Sequence, residues 1–236
     1  IWKEAAYGFK YIFARPSLLG LQLTFFVGNL FTGISFTVLA PMVLSRTSSD
    51  SLMLGSVQTA GAVGGLIGGI AMSAWGGFKR RVHGVLIGWM ISGVGMAILG
   101  LVGGLPIWIV GMVIGALVIP LVNGSNQAIW QSKVAPDVQG RVFSARRLIA
   151  WFTNPISPII AGTLADFVLE PQMRTTSALS ETFGGLVGTG PGAGMGLIIF
   201  FCGLLCILVG AAGYFIPAIH NAETILPDHD ELAKAE

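Results

Sequence analysis

Residues 82–130 read VHGVLIGWMISGVGMAILGLV, then GGLP, then IWIVGMVIGALVIPLVNGSNQAIW, without one Asp, Glu, Lys or Arg. Val82 to Val102 and Ile107 to Trp130 each reach the length of about 20 apolar residues that crosses the roughly 30 Å core of a bilayer. The Gly103-Gly104-Leu105-Pro106 punctuation between them predicts a tight turn. Two spanning helices joined so closely form a transmembrane hairpin, and this hairpin decides the fold class.

Working outward, the same reading recurs. Pro16, suited to a helix start, opens a run to Leu44, with a kink or stop expected at Pro41. Further runs cover Leu52–Trp75, Val142–Val168 and Gly194–Ile219, and Pro120 interrupts the fourth span. The chain of 236 residues is 53% hydrophobic and 10% charged, with mean hydropathy +0.79. So few charges cannot coat a water-soluble globule. The expectation is an all-α membrane protein, a six-transmembrane-helix bundle over residues 16–219. Residues 1–15 predict an amphipathic helix on the membrane surface, with Trp2, Phe9 and Phe13 on one face and Lys3 and Lys10 on another. Residues 220–236 predict a disordered acidic tail carrying Glu223, Asp228, Asp230, Glu231 and Glu236. The Ser, Thr and Gly-rich stretch 169–193 predicts a flexible loop. It is no phosphate cradle, because neither a preceding strand nor a Lys accompanies its glycines. A chain that opens without Met, in mid-helix, is expected to be part of a longer one.

With six spans both termini share a side, and the 13 Lys and Arg divide 11 against 2, only Arg46 and Arg174 lying opposite. Positive residues in short loops stay in the cytoplasm. Both termini and the 76–81 and 131–141 loops are therefore expected to be cytoplasmic.

The spans hold no carboxylate pair, His cluster or Ser, His and Asp set, so nothing points to an enzyme, a metal or a cofactor. Cys202 and Cys206, four apart, read as packing residues. The polar groups in the spans are Gln22, Asn29, Gln58, Asn123, Ser125, Asn126, Gln127 and Asn154. Amides in lipid face a bundle interior or a water-filled path. Asn123, Asn126 and Gln127 share a helical face that Trp130 extends, and this face is the leading candidate for lining a polar cavity. Interhelical bonding is an equal alternative for any one of them. Asp166, near the end of the fifth span, fits both a proton-binding carboxylate and a hydrated helix-end acid. Gly61, Gly65 and Gly69, flanked by Gly64 and Gly68, predict a groove for close helix packing, and Gly111 and Gly115 repeat the pattern.

Two loops carry a resemblance. Trp75, Gly76, Gly77, Phe78, Lys79, Arg80 and Arg81 resemble the Gly-and-basic loop of the major facilitator superfamily. Gln127 to Lys133, followed by Pro136, Asp137, Gly140, Arg141, Val142, Phe143, Arg146 and Arg147, is similar to the loop between the tenth and eleventh helices of its efflux branch, which includes siderophore and macrolide exporters. Ser73 stands where the family usually has an acid. The resemblance implies the C-terminal six-helix half of a secondary transporter in a bacterial inner (plasma) membrane, with residues 1–15 as the linker between halves. It implies alternating access, proton-coupled efflux of amphipathic small molecules, a cytoplasmic gate at Lys79, Arg80, Arg81, Asp137 and Arg141, and an N-terminal half or a second copy as partner. The lipid bilayer is the other partner, and nucleic acid is not one. The alternative is a non-transporting membrane scaffold or a subunit of a larger complex.

Overall fold

The computed structural model describes residues 2–229. The side chains of Trp2 and Lys3, and Asp230, Glu231, Lys234 and Glu236 of the tail, lie outside the described residues. All described elements are helical. Thirteen α-helices follow in order: α1 (Trp2–Phe13), α2 (Pro16–Arg46), α3 (Ser51–Trp75), α4 (Arg81–Gly100), α5 (Leu105–Leu117), α6 (Ile119–Lys133), α7 (Pro136–Trp151), α8 (Thr153–Thr163), α9 (Glu170–Arg174), α10 (Ala178–Val187), α11 (Ala193–Phe215), α12 (Pro217–His220) and α13 (Ala222–Ile225), with a π-helical turn at Leu164–Leu169 between α8 and α9. Six segments are long and apolar enough to cross a membrane: α2, α3, α4, α5 with α6, α7 through α9, and α11.

Prolines and glycines set the breaks. Pro120 has no N–H to give, and the fourth span divides at Val118. Phe152 divides the fifth span just ahead of Pro155. Pro41 neither stops α2 nor shortens it. Met42 and Val43 beyond it are fully buried, and that packing holds the last turn to Arg46. The α3–α4 turn takes Gly76 and Gly77 at φ 77° and 82°, where a side chain would be strained. Asp50 starts α3 by accepting from the N–H groups of Leu52 (2.8 Å) and Met53 (3.2 Å).

At the centre α4 lies along α11, and glycines let the two backbones touch. A Cβ at Gly203 would stand 2.6 Å from the Gly93 carbonyl, and one at Gly100 would stand 2.5 Å from that of Gly196. Gly93 and Gly100 are seven apart, as are Gly196, Gly203 and Gly210, so each pair repeats on one seam. The α3 glycines do not pack as a single stripe. A Cβ at Gly64 would stand 2.8 Å from the Val113 carbonyl and one at Gly68 would run into that of Leu117, with Gly61 against Met112, whereas Gly65 and Gly69 have open space before them. On α5, a Cβ at Gly111 would stand 2.7 Å from the Gly95 carbonyl of α4.

Two stretches expected to be unstructured are folded. Within 169–193, Ser177 and Ser180 close a reciprocal cap, and α10 packs Leu179, Phe183 and Val187, spaced by four, against α11. Residues 220–228 bind one end of the bundle instead of hanging free. There Arg80 donates to the His220 carbonyl (2.9 Å), Glu223 accepts from Val82 N–H (2.9 Å), and Lys133 reaches the Glu223 carbonyl (2.6 Å) and Asp228 (2.7 Å). The helix α1 lies on α7 at this same basic end, with Gly8 closely apposed to Arg141 and Ala145. Phe9 packs inward there, while Phe13 is 60% exposed.

Candidate functional site

A cavity of about 130 Å³ opens between α2, α4, α5 and α6. Asn29, Thr32, Ser35 and Phe36 come from α2, Trp89, Ser92 and Met96 from α4, Gly115 from α5, and Asn123 from α6. No lining residue is ionisable. The space exists partly because glycine lines α5, and because Trp89 lies across Gly28, its ring occupying the place a Cβ would take. Phe25 meets Trp89 edge-on at 5.6 Å between centroids and fixes it. Asn29 and Asn123, one on each flanking helix, give an otherwise apolar chamber two amides. That is the chemistry of a site for an amphipathic molecule.

The structure divides the other amides. Asn126 and Trp130 share a face with Asn123 by spacing, yet both are fully buried, and Trp130 donates its indole N–H to Asn126 Oδ1 at 3.1 Å. Gln127 Oε1 accepts from Arg146 at 2.9 Å, and the Arg146 guanidinium lies 5.1 Å from the Trp130 ring centroid. Gln22, also buried, donates to the Arg146 carbonyl at 3.2 Å. These five residues form a network joining α2, α6 and α7, not a wall of the cavity. An amide in a low-dielectric interior takes whatever partner the next helix offers, and α7 brings an arginine. Gln58 on α3 and Asn154 on α8 are exposed, on faces away from the chamber.

Of the loop residues, Arg81 donates to the Ala128 carbonyl at 2.9 Å, so the α3–α4 turn is tied to the end of α6, and Arg80 is tied to the C-terminal segment. Lys79 and Asp137 are exposed. Arg141 stands 4.8 Å over the Tyr7 ring and joins α7 to α1.

Asp166 is exposed on the π-helical turn. The sequence reading, which ended the fifth span at Val168, passed over Glu170, one turn beyond Asp166 and 8% exposed. Its carboxylate accepts from the N–H groups of Gly192, Gly194 and Met195 at the start of α11 and pairs with Arg174 at 3.1 Å. A carboxylate there meets the positive end of the helix. The i, i+4 pairing of Glu170 with Arg174 was the available signal. Arg46, also at this end, donates to the carbonyls of Leu101 (3.2 Å) and Val187 (2.6 Å), closing the ends of α4 and α10.

The chain is similar to macrolide efflux protein A of Streptococcus pyogenes, 28% identical over 152 residues, which cover 62% of this chain and 38% of that protein. Macrolide efflux protein A of Enterococcus faecalis is 28% identical over 142 residues, 58% of this chain and 44% of the relative. The matches thus span less than half the length of these curated relatives. No family model and no solved structure matches the chain. The chain is a distant homologue of efflux proteins, with six helices apolar enough to span a membrane.

Proposed function

We propose that this chain is a six-helix half of a major-facilitator-like secondary transporter that exports amphipathic small molecules by alternating access. The observation that carries the reading is the uncharged chamber between α2, α4, α5 and α6, lined by Asn29 from α2 and Asn123 from α6. The efflux relatives and the six spans support it. In this reading the basic end faces the cytoplasm, because loop Lys and Arg are retained there. The exposed apolar side chains of α3 and α8, such as Leu66 and Ile159, then meet lipid, a second six-helix half or a second copy of this one. Proton coupling would place the exchanged proton on Asp166 or on the partner half.

The test is access and transport in the full-length protein. Single cysteines at 29 and 123, in a background lacking the buried Cys202 and Cys206, should react with a water-soluble thiol reagent and be protected by an exported compound. Asn29→Leu and Asn123→Leu should lower export several-fold at unchanged membrane abundance. Unreactive cysteines together with unchanged export would remove the chamber as the site, and a full-length protein that exports nothing would be a scaffold, not a transporter.

A further inference from the structure

We propose that a second pocket, at the end of the bundle opposite the basic one, binds a phosphate-type oxyanion, with Arg46 as its cation. The pocket, about 330 Å³, lies where the end of α2, the α4–α5 turn and the α10–α11 turn meet. It is separate from the chamber and does not depend on the transport reading. Its wall carries Ser45, Arg46, Val102, Trp108 and Thr189, and Arg46 is the one ionisable residue lining it.

Capping does not exhaust Arg46. It gives one N–H to the Leu101 carbonyl and one to that of Val187, and a guanidinium has five to give. Its Nε has no partner among the described residues and stays open to solvent, in contrast to the Arg80 Nε, which is unpaired and sealed. Its charge is also unmatched. Arg46 is in no ion pair among the described residues, and the acid whose charge reaches it is Glu170. That carboxylate is already taken by three backbone N–H groups and Arg174. A permanent charge in a half-buried wall is stabilised by an anion. The side chain is also held in place: a Cβ at Gly192 or Gly196 would run into it, and its guanidinium lies 6.0 Å from the Trp108 ring centroid. The Ser45 and Thr189 hydroxyls, without partners among the described residues, add neutral donors to the same wall. A fixed guanidinium with hydroxyls beside it suits phosphate oxygens. The volume exceeds what a bare ion needs and matches the lower end of small-molecule sites, roughly 300–1,000 Å³. The oxyanion therefore comes attached to a body, as the phosphate of a lipid headgroup or of a soluble ester.

The experiment reports from the pocket itself. Val102, 50% exposed on its wall, is changed to Cys in the full-length protein, held in a maltoside detergent that carries no phosphate. The native Cys202 and Cys206 are buried, so a water-soluble thiol reagent should label position 102. Three matched probes then compete with labelling: glycerol phosphate, dihexanoyl phosphatidic acid, and dihexanoylglycerol, which keeps the chains without the phosphate. Both phosphate compounds should slow labelling and dihexanoylglycerol should not. Equal potency of the two upholds the site with a soluble ester as its source, and an advantage of tenfold or more for phosphatidic acid upholds it with a lipid headgroup. Adding Arg46→Gln should raise the concentration for half-protection about ten- to a hundredfold, the worth of one charge-assisted hydrogen bond. Unchanged protection in that variant overturns the proposal. So does wild-type Arg46 protein that neither phosphate compound protects, or that dihexanoylglycerol protects as well as phosphatidic acid does. These last comparisons leave Arg46 intact, so they decide the question even where loss of its capping bonds unfolds the variant.

Discussion

At the scale of single residues, the polar groups in the spans differ by whether a neighbouring helix pairs them. Asn126 Oδ1 and Trp130 Nε1 satisfy one another inside α6, so removing one partner costs more than removing both. Asn126→Leu strands the indole N–H and should destabilise by about 1–3 kcal/mol. Adding Trp130→Phe removes the stranded donor and should recover part of that loss. A double-mutant cycle on thermal unfolding in detergent reads the coupling, and strictly additive effects would refute the pairing. The sequence placed Asn123, Asn126, Gln127 and Trp130 on one face correctly as helical geometry. It could not show that α7 would set Arg146 over the lower part of that face and leave only Asn123, with Asn29, on the chamber. Spacing tells which residues share a side, but what covers the side is a tertiary fact.

At the scale of helices, the six spans and their turns were legible because length, Gly-Gly pairs and prolines act locally. Which glycines pack was not legible. In lipid both the buried and the outer face of a helix are apolar, so the periodicity that orients a soluble helix is absent. Hence the reading favoured Gly61, Gly65 and Gly69, where the structure packs Gly61, Gly64 and Gly68. It also passed over the α4–α11 seam, whose seven-residue spacing was present in Gly196, Gly203 and Gly210. The two classes of glycine should respond oppositely. Gly203→Val drives a side chain into the Gly93 carbonyl and the backbone of Ala97. Overpacking of this kind costs about 1–3 kcal/mol or more. Gly65→Ala meets nothing and, gaining helix propensity, should leave the thermal midpoint equal or slightly raised. Equal loss in the two variants would mean the seam is not where the structure puts it.

At the scale of the molecule, the two ends of the bundle are closed by different chemistry. At one end the Glu170 carboxylate caps α11 while Arg46 caps α4 and α10. At the basic end a strap of residues 217–228 joins the start of α4 to the end of α6, with Lys133, 5% exposed, as its anchor. Lys133→Ala should therefore release the strap, and limited proteolysis should cut within 217–228 while the apolar bundle stays intact. The ion pair with Asp228 gives the strap a pH dependence of definite sign. The hydrogen bond from Lys133 is the main cause that holds the Asp228 carboxyl below its ordinary value. A depressed carboxylate adds stability above its unfolded pKa, about 3.9, and loses it as pH falls through the lower folded value. Strap cleavage in wild type should thus be flat from neutral pH to about 5 and rise below about 4. Asp228→Asn should remove the step. Asp228 is 48% exposed, so water screens the pair. The Glu223 and Leu226 carbonyls still hold Lys133, so the baseline cutting of Asp228→Asn should rise less than that of Lys133→Ala. If the two variants were cut equally, the ion pair rather than the buried carbonyl contacts would be the anchor.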